Sequence, residues 1–301
     1  MNSPICIGGV GGSGTRVIAT ILSSLSINIG RDINEAFDNL TFSLLFKRKD
    51  ILKQSDDNFN HLINIFEKSF TDEKFNNEDI KLIYSLTNDR PGHPKKWLEK
   101  RANNLINKIY DYDSWDDKLN KNKPEQLIKN FKSLTNNKII TPVINGWGWK
   151  EPNTHIILER LLLYYPNLKY IHVMRNGLDM AFSDNQNQLK LWGYLYLKES
   201  DFKNIHYASL KFWCAIHKKI IKIGKKMGDN FLLLNYDKLC LNPKKYLKKI
   251  CKFLNISKKA VSGLLPLIRP PESIGRFKNE DLSIFDKKDI EYVKKLGFDI
   301  E

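Results

Sequence analysis

The sequence predicts an α/β protein: a parallel sheet flanked by helices, carrying a mostly helical stretch from roughly residue 35 to 138. Three observations predict it. Short apolar runs at Ile5 to Val10, Ile144 to Lys150, Leu168 to Met174 and Phe231 to Leu234 have the length of strands buried on both faces. Between them, apolar residues recur at helical spacing, as in Val17, Ile18, Ile21, Leu22 and Leu25. Five glycines (Gly8, Gly9, Gly11, Gly12, Gly14) crowd the junction of the first run and this first stripe. Strands alternating with helices imply a parallel sheet with helices on both faces. Ligands of such sheets bind at the carboxyl ends of the strands.

Taken in order, the first unit is strand, glycine loop, helix. From Glu35 to Tyr110 the pattern is helical: Phe37, Leu40, Leu44 and Leu45 share a face, as do Leu62, Ile63, Phe66 and Phe70, and Trp97, Leu98, Leu105 and Ile109 mark another helix. Asp111 to Lys138 is polar, with one short helix expected near Leu127 to Phe131. After the second strand, Pro152 suits the first turn of a helix, with Ile156, Ile157, Leu158, Leu161 and Leu162 as its apolar face and Pro166 as its end. Gly177 to Asp184 reads as a helix, Ile205 to Met227 as a long one with a lysine-rich face, Pro243 to Leu254 as amphipathic, and Lys287 to Leu296 as the last. Trp147 and Trp149 read as core.

Composition narrows the classes. Among 301 residues, Lys plus Arg is 49 and Asp plus Glu is 34, a net charge of +15. Many lysines read as solvated surface in a chain rich in Lys, Asn and Ile, but a positive field also suits an anionic substrate. No aromatic-plus-basic nucleic-acid module is present, and no apolar run approaches the ~20 residues of a membrane span. Cys6, Cys214, Cys240 and Cys251 lack C-x-x-C spacing and sit in apolar segments, so buried reduced thiols are expected. Met1-Asn2-Ser3-Pro4 does not open a signal peptide, and the expected location is the cytoplasm. The histidines lack metal-ligand spacing, so no metal is expected.

The chemistry-bearing segments follow strands. Gly11-Gly12-Ser13-Gly14-Thr15-Arg16 is a phosphate loop in this setting. Glycines let backbone N–H groups approach an anion, the helix N-terminus adds positive charge, and Ser13, Thr15 and Arg16 add donors. It is P-loop-like, yet the residue after Gly14 is Thr15 and not the Lys of nucleotide triphosphatases, which disfavours an ATP kinase. Arg175 ends another strand, and Asp179 and Ser183, four apart, are expected on one face of the next helix. Arg175 and Ser183 can then bracket one phosphate.

Ser13-Gly14-Thr15 together with Arg175 and Ser183 resembles the sulfotransferase superfamily, whose members use 3′-phosphoadenosine 5′-phosphosulfate (PAPS) and release 3′-phosphoadenosine 5′-phosphate. Asn235 to Leu239 with Pro243 resembles the family's late strand–loop–helix, and Ser273-Ile274-Gly275-Arg276-Phe277-Lys278 its C-terminal cofactor loop. The resemblance leaves Lys47 to Asn137 unmatched, and that stretch is expected to carry acceptor specificity. It implies one sulfotransferase-like domain over 1–301, with a helical acceptor-side insertion at roughly 35–138. It also implies a 5′-phosphosulfate site at Gly11 to Arg16 and a 3′-phosphate site at Arg175, Ser183, Arg276 and Lys278. Many members have a basic residue where this chain has Gly12; the candidates for that charge here are Arg16 and Lys150.

For catalysis the resemblance points to Lys150 as donor to the sulfuryl group. The candidate bases are Glu151 and His155, then Asp32 and Glu35. The expected reaction is sulfuryl transfer to a hydroxyl or amine of a carbohydrate, lipid or small metabolite. A nucleotide-dependent kinase and a non-catalytic nucleotide- or glycan-binding module are the alternatives.

Overall fold

The computed structural model describes residues 3–109 and 146–301. Five parallel strands form one sheet: β1 (Ile5–Gly9), β2 (Ile27–Asn28), β3 (Gly146–Lys150), β4 (Lys169–Met174) and β5 (Phe231–Asn235), in the order β2-β3-β1-β4-β5. Ile5 pairs with Gly148 on one side and Lys169 on the other, and Tyr170 with Phe231. Successive side chains of a strand face opposite sides, and two cores result. Ile5, Ile7, Ile171, Val173 and Leu234 pack with helix α1 (Thr15–Ser24). Cys6, Trp147, Trp149, Tyr170 and Met174 pack on the other face with helices of the 35–109 stretch and the long helix Ile205–Met227.

That stretch supplies α2 (Leu40–Phe46), α3 (Asp56–Lys68) and α5 (Lys95–Ile106), where its three apolar stripes predict helices, and α4 (Asn77–Ser85), which no stripe marked. Asn39 and Ser55 cap α2 and α3 by accepting the N–H groups of Phe42 and Asn58. The helix expected near Leu127 to Phe131 and the first two residues of the expected strand from Ile144 lie outside the described residues.

Two expected helices are corrected. Pro152–Ile156 is a 3-10 turn, capped by the Glu151 side chain, and the α-helix α6 (Leu158–Tyr164) starts after it. The helix expected over Gly177 to Asp184 is α7 (Gly177–Ala181), which ends two residues before Ser183. Its stop has a cause: the Gln186 amide donates to the carbonyls of Met180, Ala181 and Ser183, occupying acceptors that a further turn would use. Ser183 is therefore not on a helix face with Asp179. The strand β2 was not expected; it is only two residues long, at the sheet edge. The cysteines are free, and Cys240 is partly exposed where burial was expected.

Candidate active site

From β1 the chain turns to β2 and β3 on one side, and from β4 to β5 on the other. The switch point is thus the crevice between the carboxyl ends of β1 and β4. The glycine loop follows β1 there. Gly12 and Gly14 have φ of +88° and +92°, the left-handed region that side chains rarely adopt, and a Cβ on Gly14 would run into the Tyr236 ring. No side chain caps α1, so its first N–H groups are available at the loop. Ser13 is buried, and its Oγ has no partner among the described residues. Thr15 is also buried, whereas Arg16 is exposed.

Across the crevice, Arg175 leaves the end of β4 buried. Its Nη2 donates to Ser273 Oγ at 2.9 Å and lies 3.7 Å from Asp179 Oδ2, while its Nε is buried without a partner. Asp179 latches the C-terminal loop: its Oδ2 accepts the N–H of Gly275 at 3.0 Å and its Oδ1 that of Phe277 at 3.3 Å. Arg276 Nη1 adds a bond to the Phe182 carbonyl at 3.2 Å. The loop from Ser273 to Arg276 is thereby brought to Arg175. Lys278 instead points outward to Asp299, 3.2 Å away. Ser183 Oγ accepts the N–H of Asn185 at 3.3 Å.

The end of β3 is built differently. The Lys150 ammonium is buried, donating to the Ala36 carbonyl at 3.0 Å and paired with the Asp38 carboxylate. The Glu151 carboxylate, fully buried, accepts the N–H of Asn153 at 2.5 Å and its amide at 2.9 Å, and Lys47 Nζ lies 3.4 Å away. Burial pushes its pKa up, against the pull of Lys47. His155 is buried too, with its Nε2 facing Gln188 Oε1 at 3.3 Å, and burial pushes its pKa down to about 3. Gln188 in turn donates to the Gly9 carbonyl at 3.1 Å, tying His155 to the glycine loop. Asp32 pairs with the buried Arg101 at 2.9 Å.

Asp38, Lys47 and Gln188 were missed in the sequence. Their partners lie 112, 104 and 179 residues away, separations no local pattern encodes. Asp179 was seen, but its latch role was not. Among the described residues no group of three His, Cys, Asp or Glu side chains could hold a metal ion, and no helix is long and apolar enough to cross a membrane.

Among solved structures, the sulfotransferase domain of the Synechococcus PCC 7002 olefin synthase has a TM-score of 0.51 at 14% identity, covering 100% of this chain and 96% of that one. The sulfotransferase domain of the curacin biosynthetic pathway has a TM-score of 0.51 at 13% identity, covering 100% and 99%. At such identities the likeness shows the fold alone. No curated protein matches in sequence. The sulfotransferase family model matches residues 4–259. With a sheet whose switch point carries a glycine loop and a buried arginine, and with most of its length matched, the chain belongs to the sulfotransferase family.

Proposed function

We propose that the chain binds PAPS across the ends of β1 and β4 and transfers its sulfuryl group to a hydroxyl or amine of a small-molecule or glycan acceptor. The observation that carries this reading is the pair of buried, partnerless donors at the switch point, Ser13 Oγ and Arg175 Nε. A buried polar atom without a partner costs about 1–3 kcal/mol, a cost that an anion in the crevice removes. PAPS when bound supplies the activated sulfuryl group.

The residues divide the work. The N–H groups opening α1, with Ser13 and Thr15, hold the 5′-phosphosulfate end. Arg175 holds the 3′-phosphate end beside the loop that carries Ser273 and Arg276; Ser183 and Lys278, engaged with the Asn185 N–H and with Asp299, join it by exchanging those partners for the phosphate. Lys150 donates to the charge that develops on the phosphate oxygen. Glu151 is the better-tuned proton acceptor: burial raises its pKa, whereas His155, pushed to about 3, is a weak base near neutrality. The free thiols suit a reducing compartment, and we place the protein in the cytoplasm.

Calorimetry with 3′-phosphoadenosine 5′-phosphate and with ADP tests the reading. Tighter binding of the 3′,5′-bisphosphate is expected. Preference for ADP, with transfer from labelled ATP, would establish a kinase instead. Tight bisphosphate binding with no turnover on any acceptor would establish a non-catalytic module.

A further inference from the structure

Beside the end of β3 lies a cavity of about 320 Å³ walled by Lys47, Arg48, Lys49 and Arg90, with Asp50 and Asp89 as its acidic residues. Four cations face two carboxylates, and both carboxylates are already engaged. Asp50 pairs with Arg48 and accepts from Gln54 at 3.0 Å. Asp89 accepts the backbone N–H of Lys95. Arg90 Nη2 donates to the carbonyls of Ser43 and Leu44, each at 2.9 Å, and its Nε is buried without a partner. Lys49 lies 5.0 Å from the centre of the Tyr194 ring, with no carboxylate partner among the described residues. The cations also act on one another and on their surroundings. Burial and then Arg48 lower the pKa of Arg90 to about 10, and burial followed by Lys47 and Arg90 pushes His93 down to about 3.

The cavity shares two walls with the candidate active site. Lys47, on its rim, is also the residue 3.4 Å from Glu151. Leu191 lines it from the helix Asn187–Trp192, whose Gln188, nearly one turn earlier, bonds the Gly9 carbonyl. Through Lys47 the cavity adjoins Glu151, the residue that follows the end of β3.

We propose that this cavity anchors the acceptor, and that the acceptor carries an anionic group — phosphate, sulfate or carboxylate — held by Arg48, Lys49 and Arg90. The hydroxyl or amine to be modified then points past Lys47 toward Glu151 and Lys150. This assignment of substrate class rests on the sulfuryl-transfer reading above. Its physical ground is that Lys47 and Arg48 are paired with Glu151 and Asp50, whereas an anion supplies the counter-charge for Lys49 and Arg90 and an acceptor for Arg90 Nε.

The test uses the full chain saturated with 3′-phosphoadenosine 5′-phosphate, so that the glycine loop is filled. Phenyl phosphate and benzyl alcohol, alike in skeleton and different in charge, are titrated calorimetrically. Phenyl phosphate should bind and benzyl alcohol should not. Lys49 is exposed, so its substitution spares the fold. Lys49→Gln should weaken phenyl phosphate about two- to fivefold, as expected for an exposed charge, and Lys49→Glu should weaken it further. Bisphosphate affinity should not change in either variant. Equal binding of the two probes, or phenyl phosphate affinity indifferent to Lys49→Glu, would overturn the proposal while leaving the cofactor reading standing. Failure of the wild-type chain to bind the bisphosphate would overturn the cofactor reading, and the proposal resting on it.

Discussion

At the ends of β1 and β4, buried donors stand without partners; at the end of β3, buried charges are already matched. Ser13 Oγ and Arg175 Nε have nothing to bond among the described residues. Lys150 has Asp38 and the Ala36 carbonyl, and Glu151 has Asn153 and Lys47. In the first region the fold leaves these two buried donors, Ser13 Oγ and Arg175 Nε, unsatisfied among the described residues. The second holds charges in readiness by pairing them internally, so an incoming group must displace or share a partner. If the first region binds and the second does the chemistry, as proposed, substitutions in the two regions should separate affinity from turnover.

The largest effect should come from the paired region. Losing one preorganised donor typically costs ~10²–10³ in turnover. Lys150→Met keeps much of the side-chain length without the charge, and turnover should fall by about that factor with bisphosphate affinity unchanged. Lys150→Arg should retain part of the activity, because charge persists while geometry changes. Near-wild-type turnover with a lowered melting temperature would mean that Lys150 serves only to pin Asp38 and the Ala36 carbonyl.

The unpaired region should respond in affinity. A charge-assisted hydrogen bond contributes roughly 1.5–3 kcal/mol, or about ten- to a hundredfold. Arg175→Ala should weaken 3′-phosphoadenosine 5′-phosphate by that factor and leave adenosine 5′-phosphate nearly unaffected. Equal losses for both would show that Arg175 reads something other than the 3′-phosphate.

His155 joins the regions, since it faces Gln188 and Gln188 holds the Gly9 carbonyl. Its pKa in the fold, about 3, lies below the ordinary value of 6.5. The unfolded chain therefore takes up the proton first, so stability is full above about pH 6.5 and falls as pH drops toward the folded value. Between pH 6.5 and 5 this one ring should cost about 2 kcal/mol. His172 and His217, also buried with lowered values, add to the wild-type slope. Chemical denaturation of His155→Asn should show a loss over that range smaller than wild type by about 2 kcal/mol. Parallel pH profiles would count against a neutral buried ring.

Legibility in the sequence followed the same division. β1, the glycine loop and α1 could be read because an apolar run, glycines and a helical stripe lie next to one another. The long helix Ile205–Met227 was legible to the residue, since its lysine-rich face recurs locally along the chain. The Arg175 position was legible for the same reason. What escaped was non-local: the Asp38 partner of Lys150, the Lys47 partner of Glu151, and Gln186 turning back to stop α7 before Ser183. Pro152 signalled a helix start correctly in kind, but the turn it opens, capped by the Glu151 side chain, is 3-10 and the α-helix begins only at Leu158.

The smallest expected effect concerns the C-terminal loop. Pro270-Pro271 and Gly275 suggest a mobile lid from sequence, yet the loop is already latched. Arg175 holds Ser273, and Asp179 holds the N–H groups of Gly275 and Phe277. A loop closed before the ligand arrives has little protection left to gain. Saturating bisphosphate should therefore slow amide exchange over 273–278 only modestly, through a firmer hold on Arg175. The latch itself should be measurable without ligand. Asp179→Asn keeps the size of the side chain but turns one acceptor into a donor, so one of the two loop N–H groups loses its partner. At about 1 kcal/mol per hydrogen bond, exchange at Gly275 or Phe277 should quicken by about fivefold. If bisphosphate instead slows exchange across the loop by orders of magnitude, the latch is weak in solution. The loop would then belong with the partnerless donors of the crevice, completed by the ligand.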